Sequence, residues 1–410
     1  MLPAWGEARG VRGAGGRGRG GGKTQARPLS PYLPPRSLPV SPAESEAETD
    51  PEAEVFCQRP EVSVAGAGLT RKRKCLVMAA AAGLGALPDS LLLEILRLLP
   101  LRERLRGARV CRRWRRLVQD KMLWRHVDLM PYKISSRILW HLLKQYLCNS
   151  LRILKVRGAL YSMRKLEFLS PALFQALGKQ CPSLHHLCLT QADLRRLPYD
   201  CIPSSLKSMK LSWCEIPALW FQRSASPETP RVLPQLQHLM IHNVSAFSDQ
   251  HLLNISSQTS LRTLTLSETY RLTDAGIQRA APYLEDLERL VLHKCVITDA
   301  AVHVIGRHMK QLRSLEFSNT CSITDAGLAC LAALKCLETL RLESRFKLSP
   351  DAIVAVCQAL PQLRNLNLDG IDFEDQEIHK IQAMETLSCI LLLKVTEAER
   401  KWLLHASGYC

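Results

Sequence analysis

From Leu236 onward, one apolar pattern returns every 24 to 26 residues. Leu261, Leu264 and Leu266 come back as Leu287, Leu290 and Leu292, then as Leu312, Leu315 and Phe317. Leu337, Leu340 and Leu342 follow, then Leu363, Leu366 and Leu368. Copies on the same template begin at Leu151, Leu184, Leu206 and Leu236, with a degenerate one at Leu387. Apolar residues at i+3 and i+5 suit a short strand with one buried face, because strand side chains alternate. The rest of each unit reads as a helix. Thr273-Asp274-Ala275, Thr298-Asp299-Ala300 and Thr324-Asp325-Ala326 each put a capping side chain ahead of an apolar-periodic run such as Val302, Ile305, Met309 and Leu312. Ser349-Pro350-Asp351 opens another helix with proline in its first turn. A unit this short cannot bury its apolar side alone, so the period demands a stacked array of strand-helix units.

The period and the L-x-x-L-x-L-x-x-N/C-x-L pattern resemble the leucine-rich repeat, whose stacked units form a horseshoe. Strand plus helix in about 25 residues resembles its cysteine-containing subtype, and Cys214 and Cys295 occupy the i+8 position. Thr269 and Thr320 take that place in sister repeats. A position that accepts Cys or Thr needs a small side chain that bonds to backbone, rather than a metal ligand or nucleophile. The early repeats are irregular, with steps of 33, 22 and 30 residues from Leu151 to Leu236, and Ser224 to Val232 is a polar, Pro-bearing loop. TEAERKWLLHASGYC, with Trp402 and Leu403, reads as a helical cap over the last repeat.

Ahead of the array, Leu87 to Leu129 contains LPDSLLLEILRLLP, ARVCRRWRRLVQD and LWRHVDL. Leu91, Leu92, Ile95, Leu96 and Leu99 make a helix apolar on over half its circumference, where a lone amphipathic helix needs a stripe of about 100°. Val110, Trp114 and Leu117 form a second stripe, and Leu123, Trp124 and Val127 come next. Such a segment has apolar surface to spare and reads as a docking module. It resembles the F-box, through which a substrate receptor docks on the adaptor of a cullin-based ubiquitin ligase. The matching residues are the opening Leu87-Pro88, the Leu99-Pro100 break, Val110-Cys111 with Trp114, and the closing Leu123-Trp124 with Val127-Asp128. By match to that motif, Leu87, Pro88, Leu91, Ile95, Leu99, Val110 and Trp114 carry adaptor binding or the packing beneath it. Arg102 stands where the family sometimes has an acidic residue, and Gly107 weakens the second helix.

Residues 1–77 differ in composition from the rest of the chain: GVRGAGGRGRGGGK is Gly/Arg-rich, PLSPYLPPRSLPVSP Pro/Ser-rich and ESEAETDPEAE acidic. None can bury enough apolar area to offset chain entropy, so this extension is expected to be disordered. It is either part of the working protein or a leader upstream of Met78, and its RKRK at Arg71 to Lys74 is a candidate import patch. The expected organisation is thus α/β: an extension (1–77), a short all-α F-box (84–130), leucine-rich repeats (131–390) and a cap (391–410).

A net charge of +17 would ordinarily suggest nucleic acid or an acidic partner. Residues 78–130 hold eleven Lys/Arg against five Asp/Glu, and Arg112, Arg113, Arg115 and Arg116 flank Trp114. No aromatic platform or nucleic-acid motif accompanies them, so a solvated or adaptor-facing helix face is the preferred reading. No C-x-x-C pair occurs among fifteen cysteines, which argues against a zinc framework, and no stretch of eighteen apolar residues suggests a membrane span. No metal or cofactor is expected, and a cytoplasmic or nuclear location, or both, fits reduced cysteines.

Twelve histidines are present, but no H-E-x-x-H, G-x-S-x-G, Walker A or dinucleotide fingerprint accompanies them. Recognition is the expected business of this chain. Side chains at i+2, i+4 and i+6 of each repeat face away from the leucines and line the concave surface. Its candidate binding residues are Lys155, Arg157, His186, Lys210, His238, His242, Arg289, His293, Glu316, Arg341, Glu343 and Asp369, running from basic and His-bearing to acidic. The resemblance implies a non-catalytic substrate receptor of an SCF-type E3 ubiquitin ligase. Its partners would be a Skp1-type adaptor, a cullin and RING subunit beyond it, and protein substrates. The alternatives are a repeat scaffold or inhibitor acting without a ligase, and a basic nuclear protein on nucleic acid.

Overall fold

Strands β1 (His126–Asp128), β2 (Ile153–Arg157), β3 (His186–Thr190), β4 (Ser208–Ser212) and β5 (His238–His242) lie side by side in chain order. They continue as β6 (Thr263–Ser267), β7 (Arg289–His293), β8 (Ser314–Ser318), β9 (Thr339–Glu343), β10 (Asn365–Asp369) and β11 (Cys389–Leu393). The computed structural model describes residues 84–158, 160, 169–222, 233–319, 323–343, 348–369, 376, 379 and 389–393. The expected extension (1–77), the loop at 224–232 and the cap around Trp402 lie outside them.

Every neighbouring pair of strands is parallel, and each leucine faces its counterpart: Leu264 lies opposite Leu290, and Leu266 opposite Leu292. All four are fully buried. The alternation at i+3 and i+5 therefore sets both the buried face and the register. After β3 to β8 the chain turns through a left-handed residue, with φ of 52° at Gln191, 56° at Trp213, 46° at Asn243, 55° at Glu268, 49° at Lys294 and 50° at Asn319. The amide of each turn residue from Gln191 to Lys294 donates to the last carbonyl of the next strand, as Asn243 N does to Ser267 O at 2.9 Å. The i+8 cysteines bond to backbone as expected. Cys214 Sγ donates to Leu189 O at 3.4 Å and Ser212 O at 3.3 Å, and burial pushes its thiol up to about 11.

Among the described residues, helices α1 (Asp89–Leu98), α2 (Leu101–Gly107) and α3 (Arg112–Val118) form the N-terminal module. Helices α4 (Ser136–Gln145), α5 (Pro171–Gln180), α6 (Asp249–Ser256), α7 (Asp274–Ala280), α8 (Asp299–His308), α9 (Asp325–Cys330) and α10 (Pro350–Ala359) cover the sheet. Thr298 and Thr324 cap their helices at 3.3 Å, whereas Thr273 makes no side-chain cap. A stronger bond comes from the preceding repeat. Asp249 accepts from Thr273 N and Oγ1 at 2.8 and 2.7 Å, and Asp274 from Thr298 at 2.9 and 2.6 Å. Asp299 does the same for Thr324, and Asp325 accepts from Ser349 N at 2.9 Å. These aspartates satisfy helix-start donors that would otherwise lack partners. Gly276 and Gly327 are explained by the same contact, since a Cβ at either would collide with Asp249 or Asp299.

The repeats at Leu184 and Leu206 show no α-helix among the described residues. An aromatic cluster fills that space: Tyr199 lies edge-on to Trp220 and Phe221 at 5.6 and 5.2 Å, and Phe221 edge-on to Phe247 at 6.3 Å. His251 stacks on Phe247 at 5.7 Å, accepts from Ser248 N at 3.2 Å and meets Pro217 O through Nε2 at 2.8 Å.

The N-terminal module is continuous with the array. Trp124 is fully buried, donates to Val118 O at 2.7 Å and stacks on Tyr146 at 4.4 Å. Two residues later β1 begins, so the sheet starts inside the segment expected to be F-box alone. At the other end β11 carries it to Leu393, past the boundary expected at 390.

This packing can be tested at two places. Leu266→Asp should unfold the array by removing about 1.5–3 kcal/mol of burial and enclosing a charge. Thr265→Asp, on the opposite face, should leave the circular-dichroism melt close to wild type; equal destabilisation would put the register out by one. Burial, against the smaller pull of the Pro217 carbonyl, holds His251 below its ordinary value of 6.5. The unfolded chain then binds the extra proton, so stability present above about pH 6.5 should be lost as pH falls further. Subtracting the melts of His251→Asn from those of wild type should isolate that loss; no pH-dependent difference would contradict it.

Candidate docking surface and concave face

Helix α1 carries two apolar stripes rotated by one residue, about 100°. Leu92, Leu96 and Leu99 turn inward: the first two are fully buried, and Leu99 packs half-buried on the core. Leu91, Ile95 and Leu98 form the second stripe. Leu91 is 50% and Leu98 84% exposed, and Ile95 is half-buried. Val110, before α3, is 66% exposed, and Pro88 is exposed as well. The family-matched residues therefore separate by burial. Leu87, Leu99 and Trp114 pack half-buried on the core, while Leu91, Val110 and Pro88 are open to solvent. Leu98 is not one of the motif-matched residues, although its place seven residues after Leu91 puts it on the same face.

The arginine run is more structural than expected. Arg113 Nε donates to Asp89 Oδ1 at 2.8 Å, and Arg116 reaches Asp89 Oδ2 at 2.6 Å. Together they tie the start of α1 to α3. The Arg113 hydrogen bond, opposed by partial desolvation, holds the Asp89 carboxyl below the usual carboxylate range. Arg104 closes the end of α1, donating to Leu99 O at 3.0 Å and Leu123 O at 2.7 Å. Gly107 is buried beneath Trp114, whose ring would lie 3.3 Å from an added Cβ.

On the concave face, Lys155, Arg157, His186, Lys210 and Arg289 are exposed, and His238 and His242 half-buried. Lys155 pairs with Asp128 at 3.2 Å. His293 meets Ser318 Oγ at 2.7 Å, which makes it a satisfied structural group. Arg341 pairs with Glu316 at 3.5 Å, and Glu343 accepts from Asn319 at 2.9 Å. Asp369 is placed opposite Glu343 by strand register. The i+6 residues Ser212, Ser267 and Ser318, and Val291 at i+4, are buried by neighbouring repeats, so the accessible surface is narrower than alternation implies. Strand alternation also passes over Trp213. It sits at i+7, beyond the strand, 43% exposed and edge-on to His242 at 5.8 Å.

These features define a class: a helical module with an open apolar stripe, built onto the first strand of a parallel repeat array. Residues 84–130 match the family described as F-box-like. F-box/LRR-repeat protein 12 of Homo sapiens is 38% identical over 318 residues, spanning 76% of this chain and 96% of the relative. The protein of that name from Mus musculus is 38% identical over 319 residues with the same coverage. The chain belongs to the F-box/LRR-repeat protein family. Among solved structures, an internalin from Listeria monocytogenes aligns with a TM-score of 0.41 at 17% identity, covering 63% of this chain and 64% of that one. A chain of the Rad7 and Elc1 complex in yeast aligns at 0.45 and 19%, covering 64% and 68%.

The two stripes of α1 are separable by stability. Leu96→Asp should unfold the module, whereas Leu98→Asp, already in water, should shift the melting temperature by no more than surface substitutions usually do, within about 0.5 kcal/mol. Comparable losses would show that the outward stripe is covered.

Proposed function

We propose that this protein is the substrate-recognition subunit of an SCF-type E3 ubiquitin ligase. The observation that carries the reading is the open apolar stripe of Leu91 and Leu98 on α1, with Val110 also exposed before α3, on a module of F-box-like sequence. Large apolar side chains held in water by a well-packed scaffold are the usual mark of a protein interface. A Skp1-type adaptor covers that stripe, and a cullin and RING subunit are reached through the adaptor. The concave face holds a protein substrate for ubiquitination and degradation, in the cytoplasm, the nucleus or both. Rate comes from holding the substrate near a charged conjugating enzyme, so the chain supplies no acid, base or nucleophile.

Co-purification from cells expressing the tagged chain tests the reading. Leu91→Asp with Leu98→Asp should reduce adaptor and cullin recovery by about tenfold or more, since each aspartate leaves a charge in a desolvated contact. Wild-type recovery with a normally folded double variant would overturn adaptor docking on this stripe. A wild-type chain that captures neither adaptor nor cullin would leave a repeat scaffold acting without a ligase.

A further inference from the structure

The cations at the two ends of the array have different company. In the later repeats Arg262 pairs with Glu288 at 3.0 Å, Arg313 with Glu338 at 2.8 Å, Lys294 with Glu268 at 2.9 Å and Arg341 with Glu316 at 3.5 Å. Each of these pairs joins neighbouring repeats, although Arg271, Arg289 and Arg307 make no ion pair among the described residues. In the first three repeats Arg152, Arg157, Lys207 and Lys210 are all exposed and make no ion pair among the described residues. Arg152 and Lys207 line a groove of about 580 Å³ with His126, His185 and His186, with Ile153 and Ser183 in its wall. Lys210 stands beside it on β4, and Met240 is opposite Lys210 on β5. Asp128 offsets Lys155 at the edge of this cluster, and the remaining like charges repel in the free protein and are relieved by an anion.

Trp213 follows the far end of the same strand, three residues beyond Lys210 and six beyond Lys207. The other described residues at its left-handed turn position are Gln191, Asn243, Glu268, Lys294 and Asn319, all polar. A bulky side chain with φ of 56° is costly, and Trp213 remains 43% exposed. Folding gains little from it. Its ring stands over His242, two residues along β5 from the exposed Met240. Tryptophan and methionine are enriched in interface cores, and tryptophan among residues that dominate binding.

We infer that the concave face around β4, together with the basic groove at the strand starts and the turn after β4, is a two-part peptide site. It takes an Asp/Glu-rich segment of a partner protein whose carboxylates meet Arg152, Lys207 and Lys210, and whose neighbouring apolar side chain seats on Trp213 and Met240. From Lys207 to Trp213 the site runs six residues along β4, about 20 Å, the reach of about six extended residues. This rests on the reading of the concave face as the substrate surface and specifies the class of segment it holds.

The test is fluorescence anisotropy with the full chain and a labelled glutamate-rich peptide carrying one phenylalanine. Adaptor capture is measured on the same samples. Wild type should bind the peptide, and Lys207→Glu with Lys210→Glu should weaken it about tenfold or more. Trp213→Asn should also weaken it, while leaving the melt unchanged or raised because Asn suits the left-handed turn. A peptide with serine for phenylalanine should lose affinity on wild type but lose little more on Trp213→Asn. Equal binding of both peptides to wild type would overturn the apolar half. Tighter binding of a single-stranded oligonucleotide of matched charge would overturn the peptide assignment in favour of nucleic acid. No peptide binding by a wild-type chain that captures adaptor would overturn this inference alone, whereas failure to capture adaptor would count against the ligase reading.

Discussion

The structure depends on leucines stacked in register between parallel strands. Leu264 over Leu290 and Leu266 over Leu292 bury the same face of each repeat against the next. No repeat has a core of its own, and each exists because its neighbour covers it. The other devices serve that stacking. The left-handed residue after each of β3 to β7 passes its amide to the next repeat, and the i+8 cysteines tie the turns to strand carbonyls. Asp249, Asp274, Asp299 and Asp325 start each following helix from outside.

The N-terminal module solves the first problem of such an array, which is how to end it. A terminal repeat exposes an apolar face unless something covers it. Here Trp124, Val127 and Leu129 are buried, and β1 pairs with β2, so the docking helices also close the array. That arrangement frees the second stripe of α1. Leu92 and Leu96 fill the shared core, while Leu91 and Leu98 stay open.

Much of this was legible in the chain because the decisive interactions are local and periodic. The leucines at i+3 and i+5 gave strand positions, buried face and register together, and the degenerate copy at Leu387 is indeed followed by a strand, Cys389–Leu393. What escaped depends on contacts between units that no single repeat displays. Thr273 reads as a helix cap, but its partner is Asp249, 24 residues away. Arg113 reads as part of a solvated run, but Asp89 holds it. Val291 and Ser267 lie on the concave side by alternation, yet neighbouring repeats bury them. Trp213 lies one residue past the reach of alternation. The polar character of the other described i+7 positions was the signal that could have found it.

The central claim is that one stripe of α1 is core and the other is reserved for a partner. Hydrogen exchange of the full chain, alone and with a Skp1-type adaptor, tests it most directly. Adaptor should add protection across Asp89–Leu98 and around Val110 and leave β2 to β10 unchanged. Added protection confined to the concave strands, with α1 exchanging as in the free chain, would contradict it.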